Sequence, residues 1–238
     1  MAVKNSLQQK PITDKPIEYK CGEEIVKLSP TIIRNYLVNG GGNVTDQEIV
    51  MFLNLCRFQH LNPFLREAYL IKFGNNPATI VTGKDAITKR AMRNPKFAGQ
   101  EAGVVIYHEE RGELEHRTGS LVMEDEKLVG GWAKVHVKGY NVPIEAVVSY
   151  QEYVGTKGDG SVNGQWSKKP ATMIRKVALV QALREAFPED LGGMYASEEM
   201  NLDFDETAMA APVEIPATEE PQQQNWSQVP QEQEHLDF

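Results

Sequence analysis

Five basic side chains lie close together in the last third of the sequence, in an arrangement suited to binding phosphate groups. They are Lys168, Lys169, Arg175, Lys176 and Arg184. No acidic residue occurs between Ser161 and Arg184, although carboxylates three or four positions away commonly balance the cations of a helix. The cluster therefore predicts a positive surface that binds an anion, and the alternative is a solvated face with no ligand.

A second basic group occurs earlier in the chain. Lys89 and Arg90 fall within residues 86–92, a segment that predicts a short helix, and Arg93 and Lys96 lie just beyond it. We predict that Lys89 and Arg90 join the five later cations in one groove that holds phosphates. Contacts of this kind position a nucleic acid and leave its base edges unread.

Trp166 lies two residues before the first lysine of the main cluster and allows two interpretations. An exposed tryptophan beside cations can stack on a nucleobase. A buried tryptophan would instead anchor the glycine-rich loop of residues 155–164 to the following helix, and this second interpretation is favoured.

The residue patterns of common catalytic sites are missing, so the sequence predicts a binding protein and not an enzyme. Gly83-Lys84 is followed by Asp85 and lacks the earlier glycine of a P-loop, which argues against ATP hydrolysis. His60, His108, His116 and His136 show no metal-ligand spacing. Asp125-Glu126-Lys127 resembles half of a nuclease site, but a solvated turn between strands explains it better. We expect no cofactor, with Mg²⁺ only as a counterion of phosphates.

A helix with one apolar face is predicted to carry the main cluster. Between Pro170 and about Phe187, apolar side chains recur at helical spacing, and Pro188 ends the segment. Further helices are predicted at residues 29–38, 45–60 and 86–92. Strands are predicted at residues 24–28, 68–73, 78–82, 103–108, 113–123, 128–138 and 142–150. The fold class is α+β, with a small antiparallel sheet (hairpin plus meander) braced by helices.

Charge is distributed unevenly along the 238 residues. The net charge is −8, yet residues 197–238 hold 11 acidic residues and no Lys or Arg, which leaves 22 acidic and 25 basic residues elsewhere. We predict a flexible arm at residues 1–22, a folded domain at 23–200, and a disordered acidic tail at 201–238. The last residues, Glu234 to Phe238, are either a partner-docking peptide or an inert end.

Cellular location is predicted from what the sequence contains. Two cysteines, Cys21 and Cys56, make neither a disulfide framework nor a metal cluster. No apolar run is long enough to span a membrane, and the first residues do not resemble a signal peptide. We therefore expect a cytoplasmic protein that has no membrane partner.

Three segments resemble the Beta-type phage recombination proteins, in the superfamily of single-strand annealing proteins that also includes RecT. The first is Leu61-Asn62-Pro63-Phe64 followed by Glu67-Ala68-Tyr69, and the second is Val81 to Asp85 with Lys89 in the helix that follows. The matching positions of the third segment are Gly164, Trp166, Pro170, Met173, Arg175, Gln181, Arg184, Ala186, Phe187, Gly193 and Tyr195. The resemblance extends over roughly residues 25 to 200. It implies that residues 23–200 are a single-strand annealing domain that binds DNA and oligomerises, in a bacterial host cell.

The resemblance implies an ATP-independent protein that binds single-stranded DNA, forms a ring or helical filament, and pairs complementary strands in homologous recombination. It implies as partners single-stranded DNA, the annealed duplex intermediate, a cognate 5′→3′ exonuclease and a host single-strand-binding protein. The lambda phage member carries a folded C-terminal domain for partner contacts, where this chain has its acidic tail.

Three other functions remain open at this point. A passive single-strand DNA-binding protein with a partner-docking tail would share the basic body and acidic tail. A metal-dependent nuclease would use Asp125-Glu126-Lys127, and a structural phage protein would oligomerise without DNA. An assay of strand pairing separates the first alternative from an annealing protein.

Overall fold

The computed structural model describes residues 12–200 and Leu202. The strands are β1 (Ile17–Cys21), β2 (Glu24–Leu28), β3 (Val38–Asn39), β4 (Ala68–Ile71), β5 (Thr79–Thr82), β6 (Phe97–His108), β7 (Glu113–Thr118), β8 (Lys127–Val137) and β9 (Ile144–Ser149). The helices are α1 (Pro30–Ile32), α2 (Asp46–Phe58), α3 (Lys84–Arg93), α4 (Tyr150–Tyr153), α5 (Gly164–Lys168), α6 (Pro170–Ala186) and α7 (Pro188–Leu191). The predicted α+β class is confirmed.

The largest sheet is antiparallel and has the strand order β7-β6-β8-β9. The four predicted strands are present, but the order differs from a simple meander because β6 lies between β7 and β8. β6 has 12 residues and β7 only 6, and β6 pairs with β7 along one edge and with β8 along the other. The side chains of β7 are exposed or half-buried along its whole length, as suits an edge strand.

Two smaller sheets are formed by strands that precede α3 in the chain. The predicted hairpin is confirmed as β4 and β5, and β3 adds to β4 in parallel. β1 and β2 form a second hairpin, so the prediction of an N-terminal arm as far as residue 22 is wrong for Ile17–Cys21. Burial holds this hairpin to the protein, because the Tyr19 side chain is 7% exposed and its hydroxyl donates to the Leu61 carbonyl at 2.8 Å.

Local sequence signals account for the helices that precede the large sheet. Thr45 and Glu48 form the predicted capping box at the start of α2. Ser29 caps α1 by accepting the Ile32 N–H, as predicted, but the helix continues as a wide π turn over Ile33–Leu37. Among the described helices, none has the length and apolar composition needed to cross a membrane.

α6 is the central helix, and the prediction of a single apolar face is wrong for it. Met173, Leu179 and Ala182 are buried together with the residues of the predicted face. The helix packs on β6, β8 and β9 and is also in contact with α3, α5 and α7. A helix that is apolar on most sides belongs inside a protein. The charged groups of its Lys and Arg residues therefore reach the surface only because they stand at the ends of long side chains.

Gly131 sets the close approach of α6 to the sheet, and an alanine there is expected to destabilise the fold. A Cβ atom at this position would lie 2.5 Å from the Ile174 carbonyl oxygen, which is backbone and cannot move aside. Forced overpacking costs about 1–3 kcal/mol, and chemical denaturation of Gly131→Ala should show a loss of this size. Gly158→Ala is the matched control, because nothing lies within 4 Å of its Cβ; equal stability of both variants would contradict the prediction.

The predicted disordered tail, residues 201–238, lies outside the described residues except for Leu202. Leu202 packs against a small cluster formed by Tyr69, Ile71 and Val81 on β4 and β5. The chain therefore leaves the domain beside the sheet that precedes α3.

Candidate nucleic-acid interface

A cavity of about 290 Å³ opens between the β1–β2 turn, the end of α2 and one face of α3. Three cations of α3 line it: Lys89, Arg90 and Arg93. The helix buries Ala86, Ile87 and Ala91 in the protein, and this fixes which of its sides carries the cations. The cavity is therefore a concave, positively charged surface presented by a well-anchored helix.

Glu67 holds Lys89 in place from the other side of the cavity. Its carboxylate accepts from Lys89 Nζ at 2.7 Å and from the Asn62 N–H at 2.8 Å. Burial alone would raise the pKa of Glu67, but these two hydrogen bonds outweigh burial and lower it. An ionised Glu67 leaves the Lys89 ammonium oriented and 47% exposed.

The other two cations of the cavity are held differently. Arg90 donates a hydrogen bond to the Gln59 carbonyl at the end of α2. Arg93 is exposed and forms no ion pair with residues 12–200 or Leu202. It lies over the β1–β2 turn, where a Cβ at Gly22 would be 3.7 Å from its Nη2 atom. Arg93 is thus the cation most available to a phosphate.

Cys21 borders the same cavity but is not a reactive group. Its thiol donates to the His60 carbonyl at 3.0 Å and lies 3.4 Å from Glu67 Oε2. Burial, followed by the charge of Glu67, raises the pKa of Cys21 to about 11. The protonated thiol therefore adds no negative charge to the cavity.

A second cavity, of about 570 Å³, continues along α3 on the far side of Lys89. It shares Glu67, Ala86 and Lys89 with the first and adds Leu65, Arg66, Tyr69, Gly83 and Asp85. We call the two cavities together the α3 cleft. A phosphate chain could follow the cleft past Lys89 toward Arg93.

The three family-like segments of the sequence meet at this cleft. Leu61, Glu67 and Tyr69 of the first segment line it, and so do Gly83 and Asp85 of the second. The end of the third segment adjoins it, because the Gln59 side chain donates to the Gly192 carbonyl at 3.2 Å and the Thr82 N–H donates to the Tyr195 carbonyl at 2.8 Å.

The cations predicted on α6 are not equally available. Lys168 and Lys169 are exposed where α5 ends and α6 begins. Arg175 is half-buried, and its Nε donates to the Ala102 carbonyl of β6 at 3.2 Å. Lys168 and Lys169 therefore remain open to a ligand, while Arg175 is partly committed to the sheet.

Lys176 and Arg184 are each paired with a carboxylate from beyond the helix. Lys176 Nζ lies 2.6 Å from the buried Glu198, and Arg184 binds both carboxylate oxygens of Glu199, at 2.6 and 3.0 Å. The guanidinium carbon of Arg184 also lies over the ring of Tyr195, 4.4 Å from the centre of that ring. The expectation that these two cations lack nearby acids is therefore wrong, because the balancing acids lie 22 and 15 residues further along the chain.

Trp166 is a structural anchor and not a base-stacking platform. Its side chain is 1% exposed and packs edge-on against Tyr150 at 5.8 Å. Asn163 caps α5 by accepting the Trp166 N–H at 3.0 Å. The favoured interpretation of the sequence is confirmed.

Sequence reasoning placed Lys89 and Arg90 correctly on one surface but left Arg93 out of the predicted groove. Its spacing of four residues from Lys89 places both on the same side of a helix, and this signal could have found it. Nothing in the local sequence indicates that Glu67, Glu198 and Glu199 would supply partners for Lys89, Lys176 and Arg184.

One group of potential metal ligands occurs in the described part of the chain, away from α3. Ligand atoms of His108, Glu115 and Glu126 lie within 4.8 Å of one another. Arg117 bridges the two carboxylates, with contacts of 2.8 Å to Glu115 and 2.6 Å to Glu126. A guanidinium already neutralises both acids, and Lys127 pairs with Glu109 at 3.0 Å, so this geometry lends no support to the nuclease alternative.

Comparison with known proteins adds two findings. A sequence model described as the RecT family matches residues 23–212 of this chain. A protein of Ureaplasma parvum serovar 3, named "Uncharacterized protein UU154", is 31% identical over 137 residues, which are 58% of this chain and 52% of that protein. The chain thus spans about half the length of this curated relative.

Proposed function

The chain belongs to the RecT family, whose members anneal single-stranded DNA in recombination, and we propose that it does so without ATP, as an oligomer assembled on DNA. The observation that carries this proposal is the convergence of three sequence segments on one cationic cleft. Lys89, Arg90 and Arg93 are assigned to phosphate binding there, and Lys168 and Lys169 extend the positive surface.

The cleft supports annealing because it offers charge and little else that could read a base. Cations hold the sugar-phosphate chain, and base edges stay free to test a second strand. Correct pairing then releases about 1.4 kcal/mol for each base-pair step, so annealing of two single strands needs no nucleotide hydrolysis. Arg175, Lys176 and Arg184 contribute in this proposal where a strand displaces their present partners.

Oligomerisation and partners complete the proposal. Adjacent subunits in a ring or helical filament would align the clefts, so that many weak phosphate contacts hold one strand. The proposed partners are the annealed duplex intermediate, a 5′→3′ exonuclease that supplies single strands, and a host single-strand-binding protein, all in the bacterial cytoplasm. Magnesium enters only as a counterion of phosphates.

An annealing assay without nucleotide tests this function. Complementary oligonucleotides should pair about 10 to 10³-fold faster with the protein than in buffer, the range by which electrostatic concentration accelerates association. Particle imaging during the reaction should show oligomers on DNA. A passive single-strand-binding protein would protect the strands from a nuclease without accelerating pairing, and that result would contradict the proposal.

A further inference from the structure

The α3 cleft and the acidic C-terminal segment lie next to each other along the path of the chain. We propose that residues 203–238 occupy the α3 cleft in the absence of DNA and compete with DNA phosphates for its cations. This inference rests on the proposed DNA-binding function of the cleft. The occupant is a segment of this same chain, and the argument depends on where the chain leaves the domain and on charge.

The first acids of the C-terminal run already neutralise cations of α6. Glu198 is bound to Lys176 and Glu199 to Arg184. Both cations belong to the cluster that predicted phosphate binding from sequence. The structure therefore shows acids of this run paired with cations of the same domain.

The last described residue, Leu202, lies close to the cleft. It packs against the cluster of Tyr69, Ile71 and Val81, and Tyr69 also lines the second cavity together with Arg66 and Lys89. A chain of 36 residues can extend up to about 120 Å, so every part of the cleft is within its reach.

Residues 203–238 and the first cavity carry opposite charges. Residues 203–238 contain nine acidic residues and no Lys or Arg. The first cavity presents three cations and a single carboxylate, Glu67, which is already bound to Lys89. Because the segment is covalently attached, its effective concentration is in the millimolar range, so even weak contacts suffice for competition.

Competition of this kind has a defined effect on DNA binding. At low salt the acidic segment must be displaced before a strand can enter, so the observed affinity is reduced by the occupied fraction. When DNA displaces the segment, salt cations from solution associate with its freed carboxylates. Fewer salt cations are therefore released overall for each bound phosphate, and the DNA affinity depends less steeply on salt concentration. Long strands that make many contacts would overcome this competition more readily than short ones.

The test uses the full chain with Asn in place of Asp and Gln in place of Glu at all nine positions from Asp203 to Asp237. At about 50 mM salt this variant should bind a single-stranded oligonucleotide about tenfold more tightly than the natural chain, as expected for a competitor at millimolar effective concentration. The two affinities should converge as salt increases. The matched control, Gln222, Gln223, Gln224 and Asn225 all changed to Ser, keeps the charge and should match the natural chain.

A measurement without DNA separates failure of this inference from failure of the proposed function. Carbodiimide treatment of the natural protein at low concentration should link carboxylates of residues 203–238 to Lys89, as detected by mass spectrometry, and single-stranded DNA should suppress these links. Absence of links to Lys89 overturns the inference, as does equal DNA affinity of the natural and neutral-tail proteins. If the links form but no variant binds DNA, occupancy of the cleft by the segment stands, while the proposed function and the competition that rests on it fail.

Discussion

Arg93→Glu is expected to weaken binding of single-stranded DNA by about 10²-fold at low salt, and to slow annealing accordingly. Arg93 is an exposed cation of the α3 cleft and, like Arg90, forms no ion pair within residues 12–200 and Leu202. A hydrogen bond to a charged group is worth about 1.5–3 kcal/mol, and the new carboxylate would repel the phosphate that Arg93 had bound. Together these effects reach the roughly 2.7 kcal/mol that corresponds to 10²-fold.

The salt dependence identifies this loss as a lost phosphate contact. Each phosphate neutralised on a single strand contributes about 0.7 to the slope of log affinity against log salt. The Arg93→Glu variant should therefore show a slope shallower by about 0.7 for each affected subunit contact. The measurement is a fluorescence-anisotropy titration with one oligonucleotide at several salt concentrations.

Arg111→Glu is the matched control because it changes the net charge of the protein by the same amount. Arg111 is exposed in the turn between β6 and β7, beside Glu109 and Glu110 at a separate cavity. In the titration points at about 0.1 M salt, its reversal should leave affinity within about twofold of the natural protein, since surface charges beyond about 10 Å are screened there. Equal losses in both variants would indicate a general charge effect, and no loss in Arg93→Glu would remove Arg93 from the interface.

The sequence predicted the elements of this fold well where the signal is local. The capping box at Thr45 and Glu48 fixes the start of α2, and alternation of apolar side chains locates the hairpin β4–β5 and the four strands of the large sheet. It could not predict that β8 pairs with β6 instead of β7, because strand order depends on contacts between distant residues. The β1 strand was missed for a similar reason: Tyr19 is buried against Leu61, 42 residues away.

The sequence located the basic residues of the candidate site but not their acidic partners, because those partners are distant in the chain. Local composition locates cations, but it does not show which acids approach them in the folded chain. Lys176 and Arg184 look free in the sequence and are bound to Glu198 and Glu199 in the structure. Lys89 lies in the predicted helix, yet its orientation depends on Glu67, which lies 22 residues earlier and accepts the Asn62 N–H. The cleft is thus a product of tertiary structure that the basic residues alone do not reveal.

Glu48→Gln is expected to destabilise the protein by about 3 kcal/mol, because it removes one member of a buried ion pair. Glu48 Oε1 lies 2.7 Å from Lys72 Nζ, and the two side chains are 17% and 7% exposed. The same oxygen accepts the Ala78 N–H at 2.7 Å, while Oε2 accepts the Thr45 N–H at 2.8 Å. One carboxylate thus joins the start of α2 to the ends of β4 and β5, and glutamine would leave the Lys72 charge buried without a partner.

The same carboxylate makes stability depend on acid. Burial would raise the pKa of Glu48, but the hydrogen bonds from Lys72, Thr45 and Ala78 outweigh it and lower the pKa to about 2. The ordinary value in the unfolded chain is about 4.3, so the unfolded state takes up a proton first as pH falls. The stability from Glu48 is therefore complete above about pH 4.3 and is lost as pH falls toward 2.

Denaturation of three variants at pH 7 and pH 3 checks both statements. At pH 7, Glu48→Gln should have a lower free energy of unfolding than the natural protein. Between pH 7 and pH 3, its free energy of unfolding should decrease by less than that of the natural protein. Glu18→Gln is the matched control, because its pair with Lys27 is exposed (55% and 67%) and such pairs contribute at most about 1 kcal/mol. Adding Lys72→Met to Glu48→Gln removes the unpaired buried charge of Lys72. This double variant should recover part of the lost stability. If Glu48→Gln is as stable as Glu18→Gln, the buried pair does not hold α2 to the sheet that precedes the α3 cleft.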